Sequence, residues 1–358
     1  MFFRSILIII QRSNGDVLLS SSLIEQLQLY FKPMSIDLLV NSDTLSIAKT
    51  LPHIRQIHTF SYKKKQNQRW RQEKNIIQKI YRKYDLSINL TASDRSVLYA
   101  LFASKNSISA IEDNKIKSWW KTLFLKHSYI FDRQKHILLN NLEPLNCLGV
   151  SFSKKQTPPK VNNLEEDKIK VKLKNLNINK FIIFHPSAQY GYKVYSENLR
   201  NELLGLLNQL NIPIIVTGSD SPIDLAIKKA LPVLDNVIDW INQTSIDEYI
   251  ALSSLSKCYI GMDTLNMHIA ASQNKPIFAI FGPTILSMWS PWSNELELSA
   301  IENKPIQSYA DITIFQAKLP CVACGKAGCN DDNGISECLN QINPNLIFSE
   351  IEKWYKDV

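Results

Sequence analysis

The sequence has 358 residues, 45% of them hydrophobic and 21% charged, a balance typical of a globular protein with room for two domains. No stretch reaches the ~20 apolar residues of a membrane-spanning helix, and the apolar start MFFRSILIII has no signal-peptide cleavage site, so the cytoplasm is the expected compartment. Residues 1–150 carry 22 Lys and Arg against 11 Asp and Glu, whereas the remainder carries 19 against 22, which predicts an anionic partner for the first half.

The hydrophobic pattern of the first half predicts alternating strands and helices. Ser5 to Ile10 is a continuous apolar run, which predicts a strand that is covered on both faces. Further segments are predicted as a turn (13–16), a helix (17–30), two strands (35–40 and 86–90) and two helices (93–103 and 115–125). A strand–helix–strand unit implies a parallel sheet with right-handed crossovers.

The pattern breaks between residues 151 and 178, where a polar stretch with Pro158 and Pro159 predicts a linker. It then resumes with predicted strands at 181–187, 212–218, 258–262 and 276–284, and with helices at 196–210, 222–230, 245–255 and 266–272. The expected organisation is therefore α/β, with Rossmann-like domains at 1–155 and 179–343, a linker at 156–178 and a last helix within 344–358. Ligands of such domains bind at the carboxyl ends of the strands, in a cleft that the two domains face.

Four predicted strand-to-helix junctions hold polar residues: SNGD (13–16), HPSAQYGYK (185–193), TGSDS (217–221) and MDTLNMH (262–268). One such junction is weak evidence, because turns favour Ser, Asn, Asp and Gly for conformational reasons. Three of the four belong to the second half, at the edge where a nucleotide is expected to bind.

With GDV before the first helix, HPSA…K, and DTxxMHIAAS leading to PIFAIFGPT…W, the chain resembles glycosyltransferase family 9, the GT-B heptosyltransferases of lipopolysaccharide core assembly. The match runs through nearly the whole chain in order and is strongest from Phe181 to Trp289. It implies an inverting transferase that moves heptose from ADP-heptose to a Kdo–lipid A or inner-core lipopolysaccharide acceptor. The first domain would bind the acceptor and the second the donor, while the last helix would return to the first domain.

By this resemblance Asp16 is the general base that takes the proton of the acceptor hydroxyl. A carboxylate after the first strand suits that role, although capping of the following helix is the alternative.

The donor residues are implied in the same way. Lys193 would neutralise the diphosphate, or it is a solvated loop lysine. The other donor residues implied are Ser187, Ala188, Gln189, Gly218, Asp220, Asp263, Thr264, Leu265 and His268. Leu265 stands where the family has glycine, and Pro222 stands where the family places a ribose-binding glutamate. Without the resemblance, the sequence predicts that Asp263 caps the following helix and that His268 is a polar residue with its hydrogen bonds made inside the fold.

The segment YKKKQNQRWRQEK, residues 62–74, predicts a mobile basic loop that closes on a phosphorylated acceptor. Its candidate cations, together with Arg12, are Lys63, Lys64, Lys65, Arg69 and Arg71. A solvated charged loop and nucleic-acid binding are the alternatives, and no nucleic-acid motif accompanies the segment. Residues 115–131 mix lysines with Trp119, Trp120 and Phe124. They suit either an anionic membrane surface or, as the favoured interpretation, burial of the apolar face.

Four cysteines, Cys321, Cys324, Cys329 and Cys338, have a spacing that permits a structural zinc site. Free thiols and disulfides are the alternatives, and catalysis by the family requires no cofactor. We expect a monomer that binds a nucleotide-sugar and a lipid-linked acceptor, binds no nucleic acid, and makes peripheral contact with the inner membrane. Other activities compatible with these residues are transfer of another sugar, epimerisation of a nucleotide-sugar, and non-catalytic binding of a sugar nucleotide or nucleic acid.

Overall fold

The computed structural model describes residues 3–357, except for the side chains of residues 65–67. The chain divides into two compact units, Met1–Lys160 and Val161–Val358. Each unit is built around one sheet.

The strands of the described residues are β1 (Ser5–Ile10), β2 (Ser35–Asn41), β3 (Ile54–Phe60), β4 (Leu86–Asn89), β5 (Ser107–Ile111), β6 (His127–Ile130), β7 (Ile182–His185), β8 (Ile214–Gly218), β9 (Val237–Ile241), β10 (Tyr259–Met262), β11 (Ile277–Ile280), β12 (Ile306–Tyr309) and β13 (Ile312–Phe315). The α-helices are α1 (Asn14–Leu18), α2 (Ser21–Phe31), α3 (Leu45–Thr50), α4 (Lys65–Ile80), α5 (Asp94–Ala103), α6 (Lys115–Phe124), α7 (Ile137–Cys147), α8 (Asn163–Asn175), α9 (Glu197–Leu207), α10 (Pro222–Lys229), α11 (Ile246–Leu255), α12 (Leu265–Ser272), α13 (Leu286–Trp289), α14 (Glu337–Asn340) and α15 (Pro344–Asp357).

The sheet of the first unit has the order β3-β2-β1-β4-β5-β6, and all its strand pairs are parallel. The central strand β1 pairs on both sides, so that Ile8 lies opposite Leu38 on β2 and Ile88 on β4. This is the strand order of a dinucleotide-binding fold, whose ligand site lies where the order reverses, here between β1 and β4.

The sheet of the second unit has the order β12-β13-β11-β10-β7-β8-β9. It is parallel except for the edge strand β12, which pairs antiparallel with β13. From β9 to β11 it repeats the order of the first sheet, so its reversal point lies between β7 and β10. The continuous apolar runs IIF and YIGM are fully buried, as expected of central parallel strands.

Two predicted segments are folded differently from the sequence prediction. The predicted linker contains α8, which begins at the cap Asn162, buries Ile169 and Leu173, and packs against α11. Acidic residues in its first turn and lysines in its last turn stabilise this helix through the helix dipole, and composition alone does not reveal this.

The last helix, α15, packs against α9 and places Ile347 and Ile351 in the core of the second unit. The ring of Trp354 contacts Phe278 of β11, with 5.6 Å between centroids. The apolar face of this helix thus contributes to the core of the second unit, and its return to the first domain stays a prediction.

Helix α6 also departs from the favoured prediction. Its buried side chains are Ser118 and Lys121, whereas Trp119 and Phe124 are 63% and 64% exposed. The apolar face of this helix is thus not buried in the unit. None of the helices described here combines the length and the hydropathy that crossing a bilayer requires.

Candidate functional site

The reversal point of the second sheet brings together two side chains that lie 70 positions apart in the sequence. Lys193 follows β7 and Asp263 follows β10, and Lys193 Nζ lies 3.4 Å from Asp263 Oδ2. The side chains are 26% and 9% exposed, so the lysine remains accessible while the carboxylate is nearly covered. A partly exposed cation held at the carboxyl end of a parallel sheet is suited to bind a phosphate group.

His185, the last residue of β7, forms a buried network at the same edge. Its Nδ1 lies 3.0 Å from Thr217 Oγ1 of β8 and 3.0 Å from Asn266 Nδ2 of α12. Burial lowers the pKa of His185 to about 4, so the ring is neutral at neutral pH. A neutral ring can hold β7, β8 and α12 together without burying a charge.

His268 is the second buried histidine of this edge and lies one turn into α12. Its ring contacts that of Trp289, with 6.0 Å between centroids. Burial lowers its pKa to about 4, against an opposing effect of Asp263. His268 is therefore a neutral polar group at physiological pH, whereas Lys193 brings positive charge to this pair of strand ends.

Two glycines are required here for steric reasons. A Cβ on Gly261 would lie 2.2 Å from the carbonyl oxygen of His185, and the φ of +154° is one that other residues rarely adopt. A Cβ on Gly218 would lie 2.4 Å from Asp224 Oδ1. Both glycines let adjacent backbone and side chains approach closely at the strand ends.

The TG turn after β8 holds Pro222 where the resemblance implies a ribose-binding glutamate. Pro222 is the first residue of α10, and Asp224 is buried, where its Oδ2 accepts hydrogen bonds from Ser219 and Ser221 at 2.6 and 2.5 Å. Asp224 thus closes the turn, whereas Asp220 is exposed and accessible to a ligand.

The remaining residues that the resemblance implies for donor binding lie in several environments. Ser187 and Ala188 are buried, Gln189 is exposed, and Leu265 is the half-buried first residue of α12. Thr264 is the N-cap of α12, and its Oγ1 lies 3.3 Å from the hydroxyl of buried Tyr259. The sequence analysis did not single out Asn266 and Thr217, which complete the histidine network.

Asp16 lies in the first unit as the third residue of α1, not in an open turn. Its Oδ2 accepts hydrogen bonds from Ser13 N at 3.2 Å and from Ser13 Oγ at 2.6 Å, and its Oδ1 lies 2.8 Å from Arg12 Nε. The side chain is 6% exposed. The predicted turn is therefore a short helix, in which this carboxylate closes the first turn and pairs with Arg12.

Arg95 is a basic residue of this edge that the sequence analysis missed. Its guanidinium lies over the rings of Phe60 and Tyr62, 3.9 and 4.8 Å from their centroids, and it hydrogen-bonds Gln11 and the Tyr62 hydroxyl. It lies in the first turn of α5, directly after β4. The sequence signal for Arg95 is its position shortly after the predicted strand 86–90, within the predicted helix 93–103.

The predicted basic loop is largely helical. Helix α4 covers Lys65–Ile80, with a kink at Gln68. Lys63, Lys64, Arg69 and Arg71 are exposed, and the side chain of Lys65 lies outside the described residues. Gln72 ties the helix to β3 through two hydrogen bonds with the backbone of Ser61. The segment has the helix propensity of its Gln, Arg, Lys and Glu residues, which the loop prediction underestimated.

The four clustered cysteines are free thiols, and of these only Cys338 is buried. Burial and the charges of Cys329, Cys324 and Cys321 raise the pKa of Cys338 to about 11. Glu337 N–H donates to Cys329 Sγ at 3.3 Å. Throughout residues 3–357, no group of three or more His, Cys, Asp or Glu side chains is arranged to hold a metal ion. The zinc site stays a prediction from spacing.

The chain was compared with known proteins. Residues 74–314 match the model of glycosyltransferase family 9 (heptosyltransferase). The chain is 25% identical over 294 residues to lipopolysaccharide heptosyltransferase 3 of Escherichia coli, an alignment covering 80% of this chain and 85% of that protein.

Solved structures show the same fold. The glycosyl transferase family 9 structure from Veillonella parvula DSM 2008 has a TM-score of 0.78 at 15% identity and covers 100% of this chain and 98% of that one. E. coli heptosyltransferase WaaC with ADP has a TM-score of 0.70 at 16% identity, covering 98% and 99%. The predicted GT-B fold is confirmed. Because the family model also matches more than half of the sequence, the chain belongs to glycosyltransferase family 9 and is a glycosyltransferase.

Proposed function

We propose that this enzyme transfers heptose, with inversion, from ADP-heptose to a hydroxyl of a Kdo–lipid A or inner-core lipopolysaccharide acceptor. The observation that carries the proposal is the pairing of Lys193 with Asp263 at the reversal point of the second sheet, in a chain of the heptosyltransferase family. Its relatives include a lipopolysaccharide heptosyltransferase and an enzyme solved with ADP, which supports the donor and acceptor classes.

In this proposal the second unit binds the donor. The diphosphate of ADP-heptose displaces Asp263 as the partner of Lys193, and the ammonium then stabilises the charge that builds on the leaving ADP. The helix α12 directs its unpaired N–H groups and positive dipole end toward the same phosphates from its cap at Thr264. Exposed Asp220 is the candidate partner of the ribose.

The first unit presents the acceptor, and Asp16 acts as the general base. Removing the acceptor proton makes the oxygen a stronger nucleophile for the anomeric carbon, and attack opposite the leaving diphosphate inverts that centre. Asp16 must then accept the proton on an oxygen that now contacts Arg12 or Ser13. Arg12, the exposed basic residues of 63–71 and Arg95 suit the phosphates of a lipid-linked acceptor, which would place the enzyme at the inner membrane.

The base assignment is tested with a matched pair of variants. Asp16→Asn preserves the shape and part of the hydrogen bonding with Ser13 but cannot take a proton, so kcat should fall about 10²–10⁴-fold. Ser13→Ala removes the hydroxyl that donates to Asp16 Oδ2 but keeps the backbone contact and the carboxylate, so it should remain active. ADP-heptose affinity should be nearly unchanged in both variants, as measured by calorimetry.

Equal activity of Asp16→Asn and the wild type would rule out Asp16 as the base. Equal losses of activity and thermal stability in both variants would instead assign Asp16 the structural role of closing α1. A thermal-shift screen of ADP-, UDP-, GDP- and CMP-sugars tests the donor, and a lack of response to ADP compounds would contradict heptose donation.

A further inference from the structure

Helix α6 has the reverse polarity of an ordinary surface helix. Its inward side chains include Ser118 and Lys121, which are 3% and 0% exposed. The exposed apolar side chains of this helix are Ile116 (87%), Trp119 (63%), Leu123 (68%) and Phe124 (64%). Surface helices of globular proteins normally point their apolar stripe inward.

The inward position of Lys121 is stabilised by specific contacts. Its Nζ lies 2.6 Å from Glu112 Oε2, 2.7 Å from Asp94 Oδ1 and 2.8 Å from the carbonyl oxygen of Ala92. Ser118 Oγ donates to the carbonyl oxygen of Glu112 at 2.8 Å. A buried ammonium is costly unless it is paired and hydrogen-bonded, so these contacts fix which side of α6 faces the unit.

The exposed apolar residues form a contiguous face. Ile116, Trp119 and Leu123 recur at helical spacing, and Phe124 extends the same side. On the side of α6 that faces the unit, Trp120 packs against a small core of Val97, Ile111 and Leu125. A contiguous apolar patch on a soluble domain usually marks an interaction site.

The charges around this face indicate what covers it. Lys115, Lys117 and Lys126 are exposed at or next to α6, and the first unit carries 25 Lys and Arg against 11 Asp and Glu. Protein–protein interfaces are depleted in lysine at their cores. Tryptophan, leucine and phenylalanine flanked by lysines are instead typical of helices that lie in the boundary of an anionic bilayer.

We propose that the outer face of α6 docks the first unit on an anionic phospholipid membrane, with Trp119, Leu123 and Phe124 inserted at the headgroup boundary and the flanking lysines paired with lipid phosphates. The biological reason rests on the proposed function, since a lipid-linked acceptor lies in a membrane. The lipid binding itself can be measured without any sugar transfer.

The test is vesicle flotation of the full chain, with phosphatidylethanolamine–phosphatidylglycerol vesicles compared with phosphatidylcholine vesicles. The wild type should float with the anionic vesicles only. The double variant Leu123→Ser/Phe124→Ser should bind at least about tenfold more weakly, because two inserted side chains are lost. The control Val233→Ser/Ile301→Ser changes two exposed apolar residues of the second unit, 103% and 74% exposed, and should float like the wild type.

A second variant tests the electrostatic part. Lys115→Glu/Lys117→Glu should weaken binding to anionic vesicles by more than about fivefold, and added salt should reduce the difference from the wild type. Quenching of tryptophan fluorescence by brominated lipid should be smaller in Trp119→Phe than in the wild type, because the ring at the boundary is then absent.

The proposal is overturned if the wild type does not float, if it binds phosphatidylcholine equally well, or if the double serine variant floats like the wild type. It is also overturned if the wild type self-associates in solution and the double variant does not, since a second copy would then cover the face. Transfer to a soluble acceptor fragment is measured in parallel. Transfer without flotation refutes only the membrane proposal, and flotation without transfer refutes only the proposed function.

Discussion

The two units share one strand order but present different chemistry at the place where that order reverses. In the second unit the strand ends hold a neutral histidine network and one partly exposed lysine paired with a carboxylate. In the first unit the corresponding edge holds arginines packed on aromatic rings and a carboxylate that closes a short helix. The unit charges differ too, with 25 cations against 11 anions in the first and 16 against 22 in the second. A shared topology therefore fixes where ligands bind, while the residues at the strand ends decide which ligands bind there.

The comparison first predicts a large loss of catalysis when the lysine of the second unit is replaced. Lys193→Met keeps the length of the side chain but removes the charge that we propose for the donor diphosphate, so kcat should fall about 10²–10³-fold in a coupled assay of ADP release. Lys353→Met is the matched control, because Lys353 is an exposed, ion-paired lysine of the same unit. If both variants retain wild-type rates, Lys193 does not bind the anionic donor.

The second prediction concerns how tightly the two reversal points are packed. Gly261 lies opposite His185, whereas the corresponding pair of the first unit is Asn89 opposite Ile9. Gly261→Ala places a methyl group against the His185 carbonyl and should lower the free energy of unfolding by about 3 kcal/mol or more. Urea denaturation of the full chain measures this change.

The control for that substitution should act in the opposite direction. Gly205 lies within α9, and a Cβ there meets nothing within 4 Å. Gly205→Ala should therefore raise the free energy of unfolding by about 0.5–1 kcal/mol, since alanine is the better helix former. A destabilised Gly205→Ala, or an unaffected Gly261→Ala, would show that close backbone approach is not the distinguishing feature of the second reversal point.

The third prediction is a pH dependence of the second unit. Burial lowers the pKa of His185 and of His268 to about 4 in the folded chain, below their ordinary value of 6.5. Between these values the unfolded chain binds more protons, so stability is fully present above pH 6.5 and is lost as the pH falls toward 4. The loss should be about 1–3 kcal/mol for each histidine.

His268→Gln should flatten this pH dependence when urea unfolding is followed at a series of pH values. The exposed His127 of the first unit offers a control, and His127→Gln should leave the pH dependence of the second unit unchanged. If the free energy of unfolding of His268→Gln changes with pH as it does in the wild type, protonation of this ring in the folded chain does not reduce stability.

The strands nearest the two reversal points could be predicted from the sequence, but the edge strands and the inner strands β5 and β13 were not predicted. The bounds of β1 agree with prediction because a strand covered on both faces is a continuous apolar run. β3, β6 and β9 are edge strands, and their exposed or only partly buried polar residues interrupt the apolar run.

Prediction of the candidate site from the sequence has similar limits. The motifs located Lys193 and Asp263, but their contact depends on β10 being inserted beside β7, which only the folded sheet decides. In α6, helical spacing showed which residues share a face. Which face is buried depends on the carboxylates of Glu112 and Asp94, which lie outside the helix and hold Lys121 inward.

The packing of α15 bears on how the two units fold during synthesis. Ile347 and Ile351 complete the core that α9 and the second sheet begin, so this core stays open until those residues have emerged from the ribosome. The first unit contains all its strands within Met1–Lys160 and can bury its core much earlier. Translation therefore favours sequential folding, in which the second unit folds last and is the more prone to aggregate. A chaperone that acts on the nascent chain would find its substrate in residues 161–351, not in the basic first unit.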